Sequence, residues 1–300
     1  MAIDFDPHPD FKSFAHPQRF VSAAWLSSRL GTPGLKVVES DEDLLLYNIG
    51  HIPGAVRIDW HSDLNDQVTR DFIDGQAFAD LMREKGISRE DTVVIYGDKS
   101  NRWAAYTLWV FELFGHPDVR LLDGGRDAWM GEERDTSFAV PDYPATNYPV
   151  VDRNDADLRV FVDDIRASLT ADATQLIDVR AETDYAGDTV GEGYESIEGT
   201  PTTMRNGHIP GAVNIPWGDA LHANARFRTR EEIAAVYEGL DPAVPTVLYC
   251  LLGDQSAHTW FMLKYILGYD NVRNYDGSWA EWGNMVRMPI EQGMDPNSGK

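Results

Sequence analysis

Short apolar runs, polar loops and amphipathic stretches alternate along this chain in a fixed order. Leu35–Glu39, Thr92–Tyr96 and Val119–Leu122 are too short and too continuously apolar for helices and read as buried strands, with a further short strand at Ala55–Ile58. Between them, helices are predicted over Gly75–Lys85 and from about Trp103 to Phe114, where Gly115 stops the second. The same succession returns later. Strands are predicted at Leu176–Val179, Ala212–Ile215, Thr246–Tyr249 and Val272–Tyr275, with helices over Glu231–Gly239 and Ala257–Leu267, the latter stopped by Gly268. Strands alternating with helices specify an α/β chain, in which each half is a mainly parallel sheet covered by helices on both faces.

The repetition is literal in places. Gly50–Val56 reads GHIPGAV and Gly207–Val213 reads GHIPGAV again, 157 positions later (207 − 50). Asp123 opens DGGRDAW and Asp276 opens DGSWAEW, 153 positions later (276 − 123). Two matches at nearly one spacing indicate a duplicated domain. The expected division is 1–145 and 158–300, with a linker at 146–157 inside the proline-containing stretch Val140–Asp157. The halves differ in two ways. Asp178 to His208 is 18 residues longer than Glu39 to His51 (30 positions against 12), an insertion that either decorates the surface or folds toward the site. At the 153 offset, moreover, Cys250 corresponds to Gly97.

Cys250 is the only cysteine, placed where the strand Thr246–Tyr249 gives way to Leu251, Leu252, Gly253, Asp254, Gln255 and Ser256 before the next helix. A short turn of this kind points backbone N–H groups inward, a setting that favours a thiolate or persulfide. The expectation is a thiol pKa on the order of 5 to 7.5, below the ~8.5 of a free cysteine, with Asp254 opposing the shift. The first half, with Gly97 at this place, is expected to do no thiol chemistry.

Composition narrows the partners. In 300 residues, 43% hydrophobic and 25% charged, there is material for two ordinary cores. Forty-nine acidic against twenty-six basic residues give a formal charge of −23, which argues against nucleic acid and anionic membranes. The N-terminus has no secretory pattern and no apolar run approaches membrane-spanning length. One cysteine permits no internal disulfide, so a free thiol in a reducing cytoplasm is expected.

The paired GHIPGAV turns, DVR at Asp178–Arg180, the six-residue loop after Cys250, HTWF at His258–Phe261 and NYDGSWAEW at Asn274–Trp282 together resemble the tandem-domain rhodanese superfamily, the thiosulfate and 3-mercaptopyruvate sulfurtransferases. That resemblance implies that a donor's sulfane sulfur is held on Cys250 as a persulfide and passed to a thiophilic acceptor such as cyanide, a thiol or a protein thiol. It implies no cofactor, no metal and an inactive first domain. The loop departs from the pattern. Leu251 stands where thiosulfate-using relatives carry arginine, Leu252 where the mercaptopyruvate branch carries a serine, and Asp184 where many tandem members carry another arginine. The loop's side chains sum to about −1, which predicts weakened recognition of a dianion and improved use of thiosulfate once arginines are placed at 251 and 255. Leu251 and Leu252 are expected to line the sulfur site.

Positive charge is then sought from Arg180 beside Asp178, from Arg205, or from Arg102 in the first half. Arg180 at a strand end suits either anion binding or a fold-holding salt bridge. Trp279 and Trp282 either wall the pocket or fill the core, and His51 and His208 read as structural caps. Two rivals remain. A cysteine phosphatase needs an arginine six residues after the cysteine, where Ser256 stands. A domain pair that lost catalysis and became a binding or sulfur-carrier protein fits the altered loop, but leaves the retention of Cys250 unexplained.

Overall fold

The computed structural model describes residues 3–169, 174–194 and 203–294. The chain forms two compact units: Met1–Asn154 with Leu221–Arg228, and Asp155–Ala220 with Thr229–Lys300. In the first, β1 (Phe20–Val21), β2 (Leu35–Glu39), β3 (Val56–Arg57), β4 (Thr92–Tyr96) and β5 (Val119–Leu122) form one sheet in the order β1-β5-β4-β2-β3, with every pair parallel. In the second, β6 (Gln175–Asp178), β7 (Val213–Asn214), β8 (Thr246–Tyr249) and β9 (Val272–Asn274) run in the order β7-β6-β8-β9, again all parallel. Val160 N–H donates to Asn274 O at 2.9 Å, so residues 159–160 edge β9 as β1 edges β5. One topology has been built twice.

Burial explains why the strands carry no polar face. All five residues of β4 and all four of β8 are buried, as inner strands of a helix-covered parallel sheet must be. The helices Gly75–Glu84 and Arg102–Leu113 lie within a residue of their predicted limits. The helix expected at Ala257 instead begins at Asp254, so Asp254, Gln255 and Ser256 form its first turn and the non-helical link is only Cys250–Gly253. Its continuation, Leu263–Leu267, is a π-turn closed by Gly268 at φ 87°. The helices Gly125–Gly131 and Ser278–Trp282, each following a last strand, have no counterpart in the periodicity reading.

The duplication extends to single hydrogen bonds. His51 Nδ1 meets Tyr47 O at 2.9 Å and His208 Nδ1 meets Tyr185 O at 2.8 Å, each ring stacked on that tyrosine. Tyr47 OH donates to Ala55 O and Tyr185 OH to Ala212 O, both at 2.7 Å. Ile52 N–H donates to Tyr96 OH and Ile209 N–H to Tyr249 OH. Both histidines therefore tie the GHIPGAV turn to the preceding segment, and the same bonds occur in the half without a cysteine.

At Gly97 the first unit has closed. A Cβ there would lie 2.1 Å from Ser40 O, a backbone atom that cannot swing away. Gly97→Ala is expected to destabilise the protein by about 1–3 kcal/mol in denaturant unfolding. Gly97→Cys should do the same without creating a second reactive thiol site.

Candidate active site

Cys250 is the first residue past β8, at the carboxyl end of an inner parallel strand, where open α/β sheets place their ligand sites. The turn after β9 fixes its backbone. Cys250 N–H donates to Ser278 Oγ at 3.1 Å, Trp279 N–H donates to Cys250 O at 3.0 Å, and Ala280 N–H donates to Leu251 O at 3.0 Å. Asn274 Nδ2 donates to Gly253 O at 3.0 Å. Gly253 sits at φ 98°, and an added Cβ would meet Asp276 at 3.0 Å, so only glycine turns the chain there. That turn aims Gly253 N–H at Cys250 Sγ, 3.1 Å away.

The sulfur is fully buried and ringed by polar atoms. Besides Gly253 N–H, it accepts from Ser256 Oγ at 3.4 Å and has Tyr194 OH at 3.8 Å. Asp254 Oδ1 lies 3.5 Å away as acceptor for the thiol, and Tyr194 OH donates to that same oxygen at 2.7 Å. For a thiolate, each donor contributes about 1.5–3 kcal/mol. Taking the anion out of water costs several kcal/mol, and the neighbouring carboxylate adds repulsion. The balance corrects the expectation of a depressed pKa: burial first, then Asp254, push the Cys250 thiol up, with Ser256 and Gly253 opposing. The loop pattern showed the inward donors but not the depth at which they lie.

The remaining residues singled out in the sequence are packed or paired within the protein. Leu251 is fully buried in the second unit's apolar cluster, with Leu252 packed against it, so an arginine at 251 would have to be buried and the double-arginine expectation is withdrawn. Gln255 and Ser256 are buried in the helix's first turn. Arg180 is gripped by Asp178 through Nε and Nη2, donates Nη2 to Gly207 O at 2.7 Å and lies 4.7 Å above the Trp279 ring. In the first unit, Arg126 reaches Glu39 at 3.1 Å and Gly50 O at 2.6 Å, the corresponding carboxylate and carbonyl. The cation that closes this corner comes from the helix Gly125–Gly131 in one unit and from the residue two past the end of β6 in the other, and the first does so with no cysteine to serve. Arg205 donates to the carbonyls of Trp282, Gly283, Met285 and Met288, capping the end of the helix Ser278–Trp282. Trp279 is fully buried, its Nε1–H on Arg205 O. In the first unit, Arg102 pairs with Glu42.

Two contacts escaped the sequence reading. Tyr194, the insertion's one aromatic residue, is 2% exposed and reaches Asp254. Asp184 folds its segment by accepting from Thr189 Oγ1 and from the N–H groups of Gly191 and Glu192. The rest of the insertion, 195–202, lies outside the described residues. Ser278 holds φ 55° where the duplicate has Gly125 at φ 53°, and a serine kept at a glycine's conformation marks a hydroxyl with work to do.

Comparison with known proteins agrees with this geometry. The Rhodanese-like domain family matches the chain twice, over residues 22–132 and 161–285, and the chain belongs to that family. A protein of Corynebacterium glutamicum named thiosulfate sulfurtransferase is 64% identical over 98% of this chain and 97% of its own. One of Thermus thermophilus named sulfur carrier protein TtuD is 46% identical over 93% and 99%. The crystal structure of the 3-mercaptopyruvate sulfotransferase SseA from Escherichia coli superposes with a TM-score of 0.73 at 25% identity, covering 87% of this chain and 98% of that one. Among the described residues, no helix is long and apolar enough to cross a membrane.

Because the thiol is pushed up, alkylation of Cys250 by iodoacetamide is expected to rise with pH through a midpoint above the ~8.5 of a free cysteine. A midpoint near 7 would reverse that assignment. Tyr194→Ala, which removes a buried side chain whose OH lies 3.8 Å from Sγ, should speed alkylation at pH 8.

Proposed function

We propose that this sulfurtransferase takes its sulfane sulfur from thiosulfate and carries it on Cys250. The observation that carries the reading is the placement of Cys250 Sγ, at the carboxyl end of β8 and within reach of Gly253 N–H and Ser256 Oγ, in the one unit whose turn admits a side chain there. The 64% identity to a protein named for this activity supports the same donor. Cys250 attacks the outer sulfur of the donor, the S–S bond of thiosulfate breaks, and sulfite leaves with the electron pair. The persulfide's outer sulfur then sits where Gly253 N–H and Ser256 Oγ stabilise negative charge. A thiophile such as cyanide, a thiol or a protein thiol removes it and restores the cysteine. A buried free thiol is kept reduced in the cytoplasm, where we place the reaction.

The full burial of Cys250 and the relative named as a sulfur carrier support a second reading of the acceptor step, in which the persulfide persists until a partner protein's thiol collects it. Both readings share the donor step. Intact-mass measurement after incubation with thiosulfate, and separately with 3-mercaptopyruvate, should show a gain of one sulfur with thiosulfate, lost in Cys250→Ser. A gain only with 3-mercaptopyruvate, or a gain that survives in Cys250→Ser, overturns the proposal. Release of the added sulfur to cyanide separates the enzyme from the carrier.

A further inference from the structure

The carboxylate beside the sulfur is the least expected feature of a site for a dianion. Asp254 is fully buried in the first turn of the helix Asp254–Met262, and its Oδ1 is 3.5 Å from Cys250 Sγ as acceptor for the thiol proton. Tyr194 OH, itself buried, donates to that oxygen at 2.7 Å and holds it toward the sulfur. Ser256 Oγ and Gly253 N–H approach the sulfur as donors, so Asp254 Oδ1 is the acceptor shown at the thiol among the described residues.

We infer that Asp254 is a catalytic residue that moves the proton of the sulfur-transfer step, taking it from the Cys250 thiol as the sulfur attacks and giving it to the departing sulfite, with Tyr194 as its positioning residue. The inference rests on the thiosulfate reading above. The S–H bond breaks and the proton passes to the carboxylate, the Cys250 sulfur bonds to the outer sulfur of thiosulfate, and the donor's S–S bond breaks with its electron pair on sulfite. The carboxyl then protonates a sulfite oxygen. Thiol and thiosulfate become persulfide anion and bisulfite, with total charge −2 on each side, and no outside oxidant or reductant is needed. Until the carboxyl gives its proton to sulfite, the sulfur and the carboxylate together carry one negative charge, so two never face the dianionic donor. Burial, with Asp254, keeps the resting sulfur protonated, so there is a proton to move.

The test sets two readouts against each other. In Asp254→Asn the negative charge beside the sulfur is gone, so the iodoacetamide midpoint should fall. Single-turnover persulfide formation from thiosulfate, followed by intact mass, should nevertheless slow by about 100-fold or more. Persulfide formation as fast as in the wild type, or faster, overturns the inference, because a carboxylate that only repels thiolate and donor should be better absent. If Asp254→Asn lacks the wild-type thermal transition, the wild-type reaction in D2O decides: a normal solvent isotope effect on persulfide formation supports proton transfer in the step, and an absent or inverse one overturns it. Should the wild type gain no sulfur from thiosulfate, the donor reading fails and takes this inference with it. Equal rates in wild type and Asp254→Asn remove the inference alone.

Discussion

The second unit depends on a backbone clamp between the turns that follow β8 and β9. Cys250 N–H and C=O are both held from across the sheet, by Ser278 Oγ and by Trp279 N–H. Leaving either buried group unpaired would cost about 1–3 kcal/mol, so the two turns cannot move independently. The first unit has the same C=O bond, Arg126 N–H to Gly97 O at 2.9 Å, with Gly125 in Ser278's conformation. There Asn101 Oδ1 takes the Gly97 N–H that a serine hydroxyl takes at Cys250. The clamp thus belongs to the fold, and the chemistry was fitted to it.

For a chain with a formal charge of −23, taking sulfur from an anionic donor such as thiosulfate would require local control of charge. Two unit charges 4 Å apart at an effective dielectric of 20 repel by about 4 kcal/mol, comparable to what one or two hydrogen bonds to an ion return. Two of the arginines expected to supply positive charge are already engaged by the protein's own groups. Arg180 is held by Asp178 and Arg205 by helix carbonyls. At the sulfur itself the described donors, Gly253 N–H, Ser256 Oγ and Tyr194 OH, are neutral.

Most of the fold was legible because its signals are local. Thr92–Tyr96, Val119–Leu122 and Thr246–Tyr249 are bounded as the apolar runs predict, and the two copies of GHIPGAV carry the same histidine–tyrosine bonds. The Rhodanese-like family resemblance followed from those motifs. Direction and depth are what local patterns do not carry. Period and spacing place Leu251 next to the sulfur in sequence, but they do not report that its side chain is buried in a cluster shared with Tyr194, or that the turn at Gly253 brings Asp254 round to Sγ. Tyr194 lies 56 residues from Cys250, and no local pattern reports a contact of that range.

The corner closed by Arg126 in one unit and Arg180 in the other bears on how the duplicated halves could diverge. Trp279 occupies the place of Arg126, and the missing cation is supplied by Arg180, two residues past the end of β6 and paired with Asp178. A recombination that copied DGSWAEW over DGGRDAW would strip the buried Glu39 of its guanidinium, and the reverse copy would crowd a second cation against Arg180. Either hybrid is penalised before any question of activity arises. Swapping these segments between the halves therefore carries a cost in stability at this corner, one that is independent of the sulfur chemistry.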